Sequence, residues 1–403
     1  MQSILNKNAM ISPKFTSEQV KKVQQMFARA QRVVILTHMS PDGDAMGSSL
    51  GLKHYLQSSI INSSIHHSIN SSFINVIVPN SFPSFLQWMP GASEDIIYET
   101  QSAEADKLLE EADLIILTDF HEPKRVGSLG DKLLNVLDKT KDICIIDHHL
   151  ATIDVDATFA AARESVHLIY PDSPSASELV FRLIYQLNPS AQRSYSDSGL
   201  SGEAGHSADS ICGLEAAICL YTGMMTDTGN FSFNSNYAEM YEIVGMLVAA
   251  GVNKDEIYNK VFNQYSADRM RLMGYCLHQK MRLFPEYHTA LVYLSRKELY
   301  RFNFQSGDAE GLVNLPLQIS DVYYSVFMRE DKVNPSETGL ANGSKIKVKI
   351  SLRSQGNRPV NIFAHEVFGG GGHMNASGGE YYGPLPEAVQ KFLDHYQQYF
   401  KKE

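Results

Sequence analysis

The sequence predicts an α/β protein, with a doubly wound N-terminal domain on a parallel sheet, a smaller C-terminal α/β domain, and a helical linker between them. Three observations carry that prediction. The runs "VVILTH" (33–38), "ADLIILTD" (112–119) and "ICIIDHH" (143–149) have strand length, are nearly continuous in apolar character as central parallel strands are, and each end in a carboxylate or an imidazole. Helix-like segments such as "AMGSSLGLKHYLQ" and "DKLLNVLDK" lie between them, giving the strand–helix alternation of a doubly wound sheet. The chain has 403 residues, long for one compact domain and suited to two.

Taken in order, "TSEQVKKVQQMFARAQ" (16–31) opens with Thr16 and Gln19 at capping-box spacing and puts Val20, Val23, Phe27 and Ala30 on one face of a helix. "EAAICLYTGMMTDTGNF" (215–231) reads as a helix that breaks at Asp227-Thr228-Gly229. The Ser-rich stretches 58–72 and 186–210 have no apolar period and read as surface loops, with His66 and His67 a solvated pair. From residue 253 to 283, Ile257, Val261, Tyr265, Met270 and Met273 keep helical spacing, which places the linker there, between a domain of residues 1–252 and one of 284–403. The last domain holds the strand-like runs "HTALVYLS", "VYYSVFMRE" and "KIKVKISLRS", then the glycine-rich "FGGGGHMNASGG".

Composition limits the function. With 45 acidic against 35 basic residues the net charge is −10, so no general electrostatic grip on long nucleic acid is expected. Four scattered cysteines without CxxC spacing fit a reducing compartment. No run approaches a transmembrane helix and the N-terminus lacks a signal-peptide core, so the reading is a cytoplasmic protein with no membrane partner. A dimer is the default assembly, since most soluble oligomers are two-fold pairs.

In a doubly wound sheet the functional crevice lies beyond the carboxyl ends of the strands. His38, Asp42 and Asp44 share a strand-to-helix loop, Asp119 ends a second strand, Asp147, His148 and His149 end a third, and Asp227 closes a helix. Imidazoles and carboxylates gathered at one rim would repel as bare anions, and divalent cations are the remedy. Oxygen and nitrogen donors without sulfur favour Mn²⁺ or Mg²⁺ over Zn²⁺ or Co²⁺. So many ligands suit two metals sharing a carboxylate, an arrangement that binds a bridging hydroxide and steadies a phosphoryl transition state. The four glycines at 369–372 expose backbone N–H groups, and His373 and Arg353 add cationic donors for a phosphate. His121, His167 and His288 read as ordinary surface or packing histidines.

"THMSPDGDAMGS", "ILTD", "IIDHH", "GMMTDTGNF" and "FGGGGHMNASGG" resemble, in order and register, the motifs of the DHH phosphoesterases and of their associated C-terminal domain. The resemblance implies a two-Mn²⁺ site, with His38 and Asp42 on one metal, Asp44, His148 and Asp227 on the other, and Asp119 bridging. His149 would contact the scissile phosphate and Asp147 would orient a neighbouring imidazole. On the substrate side it implies Arg125, Arg353, Ser354, Gly370, Gly371, Gly372, His373 and Asn375, facing the metals across an interdomain cleft.

The activity this implies is hydrolysis of very short RNA or DNA oligonucleotides and of the phosphomonoester of pAp (3′-phosphoadenosine 5′-phosphate). An acidic chain fits, because few phosphates need gripping. The alternatives are a phosphodiesterase of cyclic dinucleotides or linear pNpN, an exopolyphosphatase-like phosphohydrolase, and a non-catalytic nucleotide or nucleic-acid binder. A pyrophosphatase sharing only the first domain is disfavoured by the GGGGH run.

Overall fold

The computed structural model describes residues 11–62, 73–188, 211–305, 307–333 and 345–400, those of 59–62 by backbone only. The His66-His67 pair and most of both Ser-rich stretches lie outside the described residues; residues 58–62 and 186–187, expected in loops, instead end the helices Gly43–Asn62 and Ala176–Leu187. The chain divides into two compact units, Met1–Asn263 and Gln264–Glu403.

The first unit is built on six parallel strands: β1 (Val33–Leu36), β2 (Ile74–Val78), β3 (Ile96–Ile97), β4 (Leu114–Thr118), β5 (Asp142–Asp147) and β6 (Glu164–Ile169), in the order β3-β2-β1-β4-β5-β6. The order reverses between β1 and β4, which is where a doubly wound sheet opens its crevice. Register brings the strand ends level, with Leu36 opposite Leu117 and Thr118 opposite Ile146. The residues that follow the three central strands therefore emerge side by side.

Side chains on these strands alternate between two cores, as a pleat requires. Val33, Ile35, Leu114, Ile116, Cys144 and Ile146 enter one core. Val34, Leu36, Ile115, Leu117, Ile143 and Ile145 enter the other. Burial on both faces explains why β1, β4 and β5 read as unbroken apolar runs.

On the first face the helix Ser17–Arg29 begins with the expected capping box of Thr16 and Gln19. Beside it the helix Gly43–Asn62 packs on the helix Leu214–Asp227. Gly43, Gly47 and Gly51 form a stripe on the contact: a Cβ at Gly47 would stand 2.7 Å from both the Cys219 carbonyl oxygen and Gly223 Cα. These glycines allow backbone-to-backbone approach. That approach sets the distance between Asp44, at the start of one helix, and Asp227, at the end of the other.

The second unit carries β7 (Arg282–Phe284), β8 (Thr289–Leu294), β9 (Tyr324–Lys332), β10 (Ile346–Ser354), β11 (Gly371–His373) and β12 (Ala376–Tyr382), in the order β11-β12-β10-β9-β8-β7. Only the β8–β9 pair is parallel. Val326, Met328, Val348, Ile350 and Leu352 meet Phe363, Val367, Phe392 and Phe400 from the helices Asn361–Phe368 and Leu385–Tyr399 and the residue after them. Val292, Leu294 and Phe327 pack instead with Leu272, Cys276, Leu299 and Leu312.

The 253–283 stretch is largely helical but divided between the units. Ile257 and Val261 of the helix Lys254–Phe262 join the first core, whereas Leu272 and Cys276 join the second unit. Among the described residues, no helix is long and apolar enough to cross a membrane.

Candidate metal centre

His38 follows β1 and is buried. Its Nδ1 lies 3.0 Å from the Met39 carbonyl, and its Nε2 lies 3.1 Å from Asp119 Oδ2 and 3.9 Å from Asp42 Oδ1. His148 follows β5 in the same manner: Nδ1 is 3.2 Å from the Ser173 carbonyl, and Nε2 is 3.2 Å from Asp119 Oδ1, 3.5 Å from Asp227 Oδ2 and 3.8 Å from Asp44 Oδ2. A carbonyl at Nδ1 assigns a proton to that nitrogen, so Nε2 is the nitrogen that faces the carboxylate oxygens and that a cation would take in place of a proton. That is the tautomer a metal-ligating histidine needs.

Asp119 stands between the two groups, one oxygen toward each. It adopts φ +65°, a left-handed conformation that few non-glycine residues take, while its N–H donates to the Ile146 carbonyl at 2.9 Å. Its buried Oδ1 has no hydrogen-bond partner.

The other carboxylates have structural duties as well. Asp42 Oδ1 accepts from the N–H groups of Asp44 and Ala45, starting the helix Gly43–Asn62. Asp44 accepts from the N–H groups of Ala176 (2.6 Å) and Ser177 (2.9 Å) at the start of the helix Ala176–Leu187. Asp227 ends its helix and is exposed. Capping accounts for Asp42 and Asp44 one at a time. It does not account for carboxylates converging on two bare imidazole nitrogens.

Electrostatics agree. Burial would push His38 down, but Asp119 and Asp42 outweigh it and raise it to about 9. Burial likewise opposes protonation of His148, and Asp119, Asp227 and Asp44 overcome it. Burial, with the charges of Asp119 and Asp227, drives Asp44 well above the usual carboxylate range. His38, His148 and Asp44 are each pulled toward holding a proton, while the imidazoles of His148 and His38 outweigh burial and hold Asp119 well below the usual carboxylate range, so the pocket calls for positive charge around that carboxylate. His38, Asp42 and Asp119 form one set of donor atoms within 4.8 Å of one another, and Asp44, His148 and Asp227 form a second. An orphaned buried Oδ1 and a sulfur-free donor set fit hard divalent cations.

Behind this rim, Asp147 ends β5 fully buried. Its Oδ1 accepts from the N–H of His149 at 3.1 Å and lies 2.8 Å from His149 Nδ1. Its Oδ2 is bonded to Nδ1 of His121. Burial would raise the Asp147 carboxyl, but His121 and His149 hold it below the usual range. His121 therefore differs from its expected role as an ordinary surface or packing histidine. It is buried, it braces Asp147, and its Nε2 has no hydrogen-bond partner. Arg125 is half-buried on the turn Pro123–Val126; burial lowers His149 and the Arg125 charge adds to that, while at His38 the same charge only opposes in small part the rise caused by Asp119 and Asp42.

The substrate residues expected in the second unit gather at one end of its sheet. Ser354 ends β10, and its N–H donates to the Asn375 carbonyl at 3.0 Å. Asn375 Nδ2 donates to Ser354 Oγ and to the Gly356 carbonyl, both at 2.8 Å. Arg353 pairs with Ala376 across β12, and His373 closes β11. The glycine run has several reasons to exist. Gly369 (φ +62°) ends a helix, and a Cβ at Gly370 would strike the Gly378 carbonyl at 1.9 Å. Gly372 has φ +133°, and only Gly371 has open space without a turn to make.

A family model described as the DHH family N-terminal domain matches residues 32–224, and one described as the DHHA1 domain matches 289–402. A solved structure of an exopolyphosphatase-related protein from Bacteroides fragilis is 40% identical, with a TM-score of 0.77, and the match covers 96% of this chain and 98% of that one. The chain belongs to the DHH family. Among curated DHH relatives, a bifunctional oligoribonuclease and PAP phosphatase NrnA from Thermus thermophilus is 28% identical over 90% of this chain and 88% of its own length. The protein of the same description from Bacillus subtilis is 23% identical over 87% and 89%.

His121 is the residue that reading the DHH motifs did not single out. Its partner Asp147 is 26 positions away, and the available signal was its place two residues beyond a strand-ending aspartate.

Proposed function

We propose that this DHH protein is a metal-dependent phosphohydrolase of the cytoplasm that cleaves the phosphodiester bonds of very short oligonucleotides and the phosphomonoester of pAp. The observation carrying the proposal is the division of Asp119, with Oδ2 3.1 Å from His38 and Oδ1 3.2 Å from His148. His38, Asp42 and Asp119 would hold one divalent cation, and Asp44, His148, Asp227 and Asp119 a second, with Mn²⁺ preferred. Bound there, such a pair would supply Lewis acidity toward the phosphate and lower the pKa of a water.

The chain's own residues do the rest. Asp147 holds His149 at Nδ1, so the imidazole is oriented with Nε2 as the nitrogen that would meet a phosphate oxygen. Arg125 adds a guanidinium beside the same rim, suited to phosphate. Arg353, Ser354, His373 and Asn375, with the backbone of Gly370–Gly372, form the substrate-binding set of the second unit. The names of the Thermus and Bacillus relatives support the nucleotide substrates.

A second reading, hydrolysis of polyphosphate, draws on the Bacteroides fragilis protein. The deciding experiment is a time course in Mn²⁺ on a 5′-labelled RNA dinucleotide, a 24-mer, pAp, a cyclic dinucleotide and tripolyphosphate. Preferential turnover of the dinucleotide and pAp is expected. Preference for tripolyphosphate or the cyclic dinucleotide would replace the substrate while leaving the metal site intact.

A further inference from the structure

Tyr323 lies just before β9, and its ring has two flat neighbours. The His288 ring is stacked with it at 4.6 Å and 27°, and the Arg358 guanidinium carbon lies over it, 4.1 Å from the Tyr323 centroid. Guanidinium, phenol and imidazole thus form one stacked cluster.

All three layers are pinned from the backbone. The His288 carbonyl accepts from the N–H groups of Tyr323 (2.7 Å) and Tyr324 (3.0 Å), and His288 holds φ +48° while its Nδ1 lies 3.0 Å from the Asp321 carbonyl. The Gln355 N–H donates to the Tyr323 carbonyl at 3.1 Å. Ser354 Oγ donates to the Arg358 carbonyl, and Asn375 donates to both Ser354 and Gly356. The stack thus shares one hydrogen-bond network with Ser354 and Asn375, the residues assigned above to substrate. His288, after the turn Pro285–Tyr287, and Arg358, which follows the solvent-facing Gln355, Gly356 and Asn357, are both half-exposed.

We propose that Arg358, Tyr323 and His288 form a stacking platform for a nucleobase of the substrate, lying flat against this half-exposed cluster. This rests on the reading of the substrate as a nucleotide and deepens it. A flat guanidinium on an aromatic ring is a surface on which any base can stack, because every base has a π face. Tripolyphosphate has no base, so the platform would separate nucleotides from polyphosphate where phosphate contacts alone cannot.

The test uses the full-length protein in EDTA, so that nothing is cleaved, and titrates in a dinucleotide containing 2-aminopurine, whose fluorescence falls on stacking. Tripolyphosphate binding is measured in parallel by calorimetry. The wild-type protein is expected to quench the dinucleotide. Arg358→Lys keeps the charge and loses the plane, and should weaken dinucleotide binding about 5- to 150-fold, the range of ~1–3 kcal/mol per stacked base, while tripolyphosphate affinity stays within about twofold. Tyr323→Leu, with its circular dichroism checked, should act in the same direction. Absence of quenching in the wild type, wild-type dinucleotide affinity in Arg358→Lys, or equal losses for both ligands would overturn the platform. Failure of the functional reading is separate: it appears as wild-type protein that binds and quenches the dinucleotide but does not hydrolyse it in Mn²⁺.

Discussion

Asp119 holds its Oδ2 3.1 Å from Nε2 of His38. The other oxygen of the same carboxylate lies 3.2 Å from Nε2 of His148, from the next strand of the sheet. A carboxylate so divided joins two sets of donors.

Asp119→Asn should therefore be inactive yet folded. Asn tolerates the left-handed conformation that Asp119 adopts at φ +65°, so the backbone has no reason to move. The loss in kcat is expected to be on the order of 10³-fold or more, since transition-state charge stabilisation worth several kcal/mol is removed. Steady-state kinetics beside a thermal melt check both halves. An active Asp119→Asn protein would remove the bridging role.

His121→Asn tests the brace behind His149. His121 bonds to Asp147, which in turn holds His149, so the variant should lower kcat about 10- to 100-fold, the usual cost of losing a partner that orients a working side chain. Metal content, read by mass spectrometry, should stay at the wild-type level. Loss of metal together with activity would mean that His121 supports the ligands rather than His149.

Gly47→Ala places a Cβ 2.7 Å from the Cys219 carbonyl oxygen and Gly223 Cα, where backbone must shift. Overpacking of this kind costs about 1–3 kcal/mol. Because the same contact spaces Asp44 from Asp227, activity should fall beyond what lost stability explains. Denaturant unfolding and kcat, measured together, check it; an unshifted midpoint would count against the helix contact.

The buried Asp142 gives a pH prediction away from the metal centre. Its oxygens meet Arg29 Nε at 2.6 Å and Arg163 Nε and Nη2 at 2.8 and 2.6 Å. Burial alone would raise its pKa, but the two guanidiniums lower it. A depressed folded-state pKa adds stability that is present above the unfolded value, about 4, and is lost as pH falls through the folded value. Both arginines are partly exposed, so Asp142→Asn should cost about 1–3 kcal/mol at neutral pH and much less in acid. Urea midpoints from pH 7 to pH 3 measure this, and a gap that stays constant with pH would contradict it.

The parts of the fold that were legible in the sequence are those where burial on both faces left unbroken apolar runs, namely β1, β4 and β5. The residues brought together at their ends were legible because a parallel sheet must deliver them to one rim. β6 was not, since Glu164, Ser165 and His167 interrupt its pattern at a half-exposed edge, and β3 has only two residues. His121 and His288 looked ordinary because what they touch, Asp147 and Tyr323, lies far along the chain. The glycine run was legible as a feature but not in its parts, since Gly369, Gly370 and Gly372 serve a helix end and close strand packing.

The most direct measurement is the number of Mn²⁺ ions bound per chain at saturation, by calorimetry or by paramagnetic resonance of free Mn²⁺, for the wild type and for Asp119→Asn. Two ions in the wild type, with binding weakened at both sites in the variant, is the predicted result. A single ion in the wild type, or two ions held as tightly after the substitution, would contradict a centre shared through Asp119.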